Sequence, residues 1–302
     1  MDMNQMQAEI MRIQSEYMAD PTPENLVKMQ QEMAAITEQA TAMAMGNLSA
    51  QMSEYDPSGR TPENAAMTAG AQANYNMYAQ AMAGMFGGDD EQEMKDFVAA
   101  HPAPADKAKY LPIGALLLCT NNEPYETFAI MQDDWLEAME EGWGMKTAKA
   151  GAEMLASLLE GRHEAAYGDD YRKLKAGQNN DFDEDSVEGY RETLQNLQED
   201  LPALLPFAQK CDTLLAWDLE RCGYLARIFV KLGWLDESEM FGWLEKTAAK
   251  IKTAFPGWGE YAASIMMGRA VAMGFDFSVV GAACELFGEK KEFLESHPII
   301  NL

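Results

Sequence analysis

The sequence is short of basic residues, cysteine and histidine, and it has no long uninterrupted apolar stretch. Each shortage excludes something. Against 49 acidic residues there are 23 basic ones, for a formal charge of −26. That balance argues against nucleic acid or an anionic membrane as a partner, since phosphate contacts need Lys and Arg. The four cysteines, Cys119, Cys211, Cys222 and Cys284, form no Cys-x-x-Cys pair; they suit reduced thiols of a cytoplasmic protein better than a disulfide framework. The longest apolar run, Ile113 to Cys119, is far short of the ~20 residues a membrane span requires. Met1 to Met18 has neither a basic n-region nor a continuous apolar stretch, so it does not read as a secretory signal. Of the three histidines, His101 and His297 precede prolines. His163-Glu164 opens a His-Glu-x-x-His pattern, but Tyr167 stands where the second histidine belongs, so a His-based zinc pair or triad is not expected. A Gly-rich phosphate loop and a Gly-x-Ser-x-Gly elbow are both missing. No cofactor is expected, and the oligomeric state is left open.

What is present is a helical chain of 302 residues, long enough for one large core or two smaller ones. Composition shifts near residue 100. Residues 1–100 hold 15 of the 23 methionines and no Trp, Cys or His, with a charge of −11 against −15 for the rest. This gives a Met/Gln/Ala-rich helical module over 1–100, a linker and short apolar segment over 101–120, and a helical domain over 121–302. The linker is marked by His101-Pro102-Ala103-Pro104-Ala105, where proline blocks helix continuation. The module carries a weak repeat, Ser15-Glu16-Tyr17 with Thr22-Pro23-Glu24-Asn25 and Ser53-Glu54-Tyr55 with Thr61-Pro62-Glu63-Asn64. In each copy Thr caps a helix and Pro takes its first position. Its methionine stripe reads as core or as an adaptable binding groove.

Beyond residue 120, Phe128, Met131, Trp135 and Met139 mark one helix, and Met154, Leu155, Leu158 and Leu159 a second, stopped by Gly161. Gly168 to Asp185 reads as partly loop, and Val187, Tyr190, Leu194 and Leu197 mark a helix ending before Pro202. Pro206 to Leu232 reads as one long helix closed by Gly233. Asp236-Glu237-Ser238-Glu239 is a capping box, and Phe255-Pro256-Gly257 separates its helix from one carrying Trp258, Tyr261, Ile265 and Arg269. A last helix is expected from Ser278 to Phe287. Only Ile113 to Cys119 could be read as a strand. The fold class is all-α, a multi-helix bundle.

Two patterns carry chemistry. In the Pro206–Leu232 segment the 4,3 rhythm Phe207, Cys211, Leu214, Asp218, Arg221, Leu225, Ile228, Leu232 places two charges on an apolar seam. A buried carboxylate must be paired and hydrogen-bonded; Arg221, one turn on, and Arg269 of a later helix are the expected partners. This is either a charged pocket or a structural ion-pair network. Asp181-x-Asp183-x-Asp185 with Glu192 matches most of a calcium loop, but Ser186 replaces the turn glycine. Asp185 with Glu188 equally suits a helix cap or a solvated acidic loop.

The second part also resembles a bacterial family known as a domain of unknown function. The resemblance rests on Gly142-Trp143-Gly144-Met145, Leu158 to His163, Trp217-Asp218-Leu219-Glu220-Arg221, Gly233 to Glu237, Trp258-Gly259-Glu260-Tyr261 to Ser264, and Gly268-Arg269. It covers about residues 120–275. Where the family pattern more often reads Gly-His-Arg, this chain reads Gly161-Arg162-His163. The resemblance implies a domain boundary and a site region, not a reaction. Caps explain Gly233 and Asp236 but not Trp217, Asp218, Arg221, Arg227, Trp258, Glu260 or Arg269, which are therefore the candidate binding residues. Three functions are consistent with this. An acidic, non-enzymatic interaction protein would bind a basic protein partner in the manner of an immunity protein or chaperone. An enzyme would use Asp218 or Glu260 as base, with Arg221 or Arg269 holding an anionic substrate. A calcium-responsive protein would use Asp181, Asp183, Asp185 and Glu192.

Overall fold

A computed structural model describes Arg12 and residues 92–302. Apart from Arg12 and residues 92–100, the Met-rich module lies outside the described residues, as do its repeat and its methionine stripe. The second of the chain's two units begins at Asp90. Among the described residues there is no strand, and the all-α architecture holds. In chain order the helices are α1 (92–100), α2 (Ala115–Thr120), α3 (Trp135–Trp143), α4 (Ala148–Leu159) and α5 (Arg162–Lys175). They continue as α6 (Glu184–Asp200), α7 (Leu205–Lys210), α8 (Leu215–Lys231), α9 (Glu237–Ala254) and α10 (Trp258–Met273). The chain closes with α11 (Phe277–Cys284), a π-helical turn Glu285–Glu289, and α12 (Lys291–Ser296). None of these helices is long and apolar enough to cross a membrane.

Helix α8 is the axis. It packs against α2, α4, α5, α9 and α10, and every residue from Ala216 to Phe229 is buried. The expected seam is therefore an underestimate: a helix enclosed on all sides has no solvent face. Close approach is bought with glycine at one point. A Cβ on Gly223 would lie 2.6 Å from Ile113 Cγ2, and one on Gly114 2.6 Å from the Tyr224 amide nitrogen. Backbone thus meets backbone where α8 crosses the entry to α2.

Several element boundaries differ from the sequence expectation, each for a tertiary reason. The single helix expected from Pro206 to Leu232 is broken between α7 and α8, because side chains from elsewhere satisfy the freed backbone groups. Glu164 accepts from the Leu214 amide (2.6 Å) and Thr213 Oγ1 (2.9 Å). Ser264 Oγ accepts from Ala216 N (3.0 Å) and donates to Thr213 O (2.8 Å). The Cys211 carbonyl accepts from Tyr171 Oη and Lys175 Nζ. The possible strand at Ile113 to Cys119 is instead the short helix α2. The helix expected from Phe128 begins only at Trp135, since residues before it are held in a loop by buried Glu123. Its carboxylate accepts from Met131 N (2.7 Å), Gln132 N (3.0 Å) and Trp135 Nε1 (2.9 Å). The stretch Gly168 to Asp185, expected to be partly loop, is helical as far as Lys175 and again from Glu184, with loop between. The capping box at Asp236 and Glu239 forms in both directions.

Candidate functional site

The candidate site is built on α8, whose buried charges must each find compensation inside the protein. Glu220 and Arg227 lie seven residues apart, on one face of the helix, and together grip the segment 110–117. Glu220 accepts from the amides of Gly114 (2.9 Å), Leu116 (2.8 Å) and Leu117 (3.2 Å), which are the free donors at the start of α2, and from Tyr261 Oη (2.9 Å). Burial pushes its carboxyl up, against the pull of those donors. Arg227 donates to the carbonyls of Leu111 (2.7 Å), Ile113 (2.9 Å), Tyr110 (3.4 Å) and Thr127 (3.2 Å), and its guanidinium lies over the Phe128 ring at 5.0 Å. Burial lowers its pKa to about 10, with Glu220 opposing. The segment thus offers its amides to the anion and its carbonyls to the cation. Glu220 was not among the residues singled out in the sequence, because a seam reading places it away from the core.

Asp218 points the other way, to α5. Its Oδ2 accepts from the amides of His163 (2.8 Å) and Glu164 (3.2 Å), and its Oδ1 pairs with His163 Nδ1 at 2.6 Å. Helix α5 follows Gly161, which has no side chain to cap with, so Asp218 supplies the cap from another helix. Glu164, already seen at the start of α8, returns the service. The expected partners of Asp218 are corrected accordingly: no ion pair joins it to Arg221 or Arg269 among the described residues. Arg269 instead binds Asp276 (Nη2 to Oδ2 2.9 Å) and the Gly274 carbonyl. Fully enclosed and supplied with three protein donors, Asp218 is closed off from a substrate. His163, set aside in the sequence reading, is the residue that reading missed; the signal was its place two residues after the helix-stopping Gly161.

Arg221 is only 5% exposed. Its guanidinium carbon lies 4.7 Å from the Trp143 ring centre and 5.0 Å from that of Trp217, the geometry of a cation over aromatic faces. Trp143, Trp217, His163 and Arg221 thus come together from α3, α8 and α5. Glu260 and Trp258 are elsewhere. Glu260 sits in the first turn of α10 with its carboxylate near Gly257, and Trp258 Nε1 donates to the His297 carbonyl at 2.8 Å. Among the described residues the two proposed bases share no hydrogen-bond partner.

The calcium candidates do not gather either. Asp183 caps α6 by accepting from Ser186 N (2.7 Å), Asp185 is in the first turn of that helix, and Glu192 is two turns further along it. Among the described residues no group of three or more His, Cys, Asp or Glu side chains is placed to hold a metal ion. The run reads as a helix start, in which acidic residues meet the positive end of the helix dipole.

Residues 138–279 match a family described as "Protein of unknown function (DUF1266)". No curated protein and no solved structure matches the chain. The matched span contains α8 and the residues around Asp218, while the gripped segment 110–117 lies before it.

Proposed function

We propose that the protein is a non-enzymatic helical interaction protein that binds a basic protein partner through its acidic surface, as an immunity protein or a holding chaperone would. The observation that carries this is the outer face of α6. Glu184, Asp185, Glu188, Glu192, Glu199 and Asp200 are all exposed there, and none makes an ion pair with another described residue. Burial and the neighbouring charge of Glu188 together push the Glu192 carboxyl up, so a cationic surface laid along this face would relieve repulsion as well as gain attraction. The internal carboxylates support the same reading. Asp218, Glu220, Glu123 and Glu164 are all spent on backbone amides, which leaves the enzyme alternative without Asp218, one of the two bases it assumed. Free thiols at all four cysteines suit a cytoplasmic setting.

The test compares full-length wild type with an E184Q/D185N/E188Q/E192Q variant as bait in native extracts at low and high salt. The expected result is a basic partner retained at low salt by wild type alone and released at high salt. Recovery of no salt-sensitive partner, or equal recovery by the variant, overturns the proposal.

A further inference from the structure

A cavity of about 440 Å³ lies over the C-terminal half of α8, away from Asp218 and from the acidic face of α6. That volume is in the range of small-molecule sites, roughly 300–1,000 Å³. The floor is α8 itself at Arg227, Val230 and Lys231. The loop 127–130 and the first turns of α9 form the sides, and α1 with the linker 101–104 forms the roof. Phenylalanine rings enter from three of these segments, as Phe97, Phe128 and Phe241. The roof is poor in donors, because Pro102 and Pro104 carry no N–H. It is tied to the side wall where Thr127 Oγ1 donates to the His101 carbonyl at 2.6 Å. Such a lining favours an apolar occupant.

The polar groups of the wall decide what else the occupant carries. Lys231 is held by Asp133 (2.6 Å) and by the Ile130 carbonyl, and Glu237 is exposed. Arg227 is different. It is fully buried, and its Nε–H has no acceptor. Its Nη1 donates to the Thr127 carbonyl and its guanidinium lies over the Phe128 ring. Both residues line the cavity, so the cation stands at that end of it. The four carbonyls that Arg227 binds are neutral. No carboxylate among the described residues is within ion-pair distance of it, and Glu220, the opposing charge on the same helix, is engaged by three amides and Tyr261 Oη. A buried cation left in this state gains from an anion brought to it.

We propose that this cavity binds a small apolar monocarboxylate, with its body among the three phenylalanine rings and its carboxylate drawn to the Arg227 end. A carboxylate supplies both things the wall lacks there, an acceptor and a negative charge in a dry setting. A neutral oxygen would supply only the first. Glu237 disfavours the carboxylate at its own end of the cavity, which fixes the orientation. The site shares no residue with the face proposed to meet a basic partner, so either reading stands or falls without the other.

Calorimetric titration of the full chain with 4-phenylbutyrate, its neutral counterpart 4-phenylbutan-1-ol, and acetate, at constant ionic strength, tests this. Phenylbutyrate is expected to bind about tenfold more tightly than the alcohol. Acetate, which has no apolar body, is expected not to bind at millimolar concentration. Arg227 also holds the segment 110–113, so its part is read from the ligand's charge and not from its own substitution. A103F in the roof and A129F in the side wall each fill the cavity, and each is expected to weaken phenylbutyrate binding at least about tenfold. They stand on different segments, and circular dichroism shows which variant is folded and therefore counts. Four results overturn the proposal: no binding of phenylbutyrate at millimolar concentration, equal or tighter binding of the alcohol, equal binding of acetate, or binding that a folded cavity-filling variant leaves unchanged.

Discussion

Asp218 and Glu220 stand two residues apart on α8, so their side chains leave the helix on nearly opposite faces and each caps a different neighbour. Truncating Asp218 to Ala would strand two amides and the His163 imidazole inside the protein. The expected loss is about 3 kcal/mol in chemical denaturation, from unsatisfied buried donors, and a loss under about 1 kcal/mol would show that water replaces the carboxylate freely. Asp276 gives a pH signature. Burial pushes its carboxyl up, but hydrogen bonds from Ser278 and the Arg269 guanidinium outweigh that and hold it below the usual aspartate value. A group with a depressed folded pKa contributes stability that is present above its unfolded value and lost as pH falls through the folded one. D276N is therefore expected to flatten the acid limb of the stability–pH curve below about pH 4. Parallel acid limbs for the two proteins would refute the assignment.

At the level of elements, packing around α8 depends on backbone contact. G223A places a methyl group where Ile113 already sits at 2.6 Å, and part of the obstruction is Ile113 backbone that cannot rotate away. It is expected to cost about 2 kcal/mol, read as a lowered Tm; a neutral result would mean the entry to α2 shifts without penalty. The start of α9 is a milder case. D236A removes one half of a reciprocal cap and is expected to cost about 1 kcal/mol, measurable by denaturation, with no change in the rest of the fold. These elements also show why some boundaries were legible and others not. The capping box, the Phe255-Pro256-Gly257 break and the stop at Gly161 are written in adjacent residues. The interruption between α7 and α8 is not: it is held open by Glu164 and Ser264, each about fifty positions away in sequence.

For the whole molecule, 49 acidic against 23 basic residues means that the folded chain concentrates negative charge. Self-repulsion of this kind is screened by salt, so added sodium chloride at neutral pH is expected to raise Tm. A Tm that stays level or falls would indicate that surface ion pairs dominate instead. Among the described residues those pairs are mostly solvent-exposed, such as Lys149–Glu153 and Lys291–Glu295, and contribute little each.

The sequence alone determined the helical class, several helix starts and stops, and the enclosure of Asp218 and Arg221, because hydrophobic period, caps and the cost of burying charge are properties of short stretches. Only the tertiary structure decided what each buried charge binds. Besides His163 at Asp218 and Tyr261 at Glu220, the partners of Asp218, Glu220 and Arg227 are backbone groups about 50 to 117 residues distant, and amides and carbonyls are identical at every position, so no pattern of side chains can announce which of them will be left free to receive a carboxylate or a guanidinium.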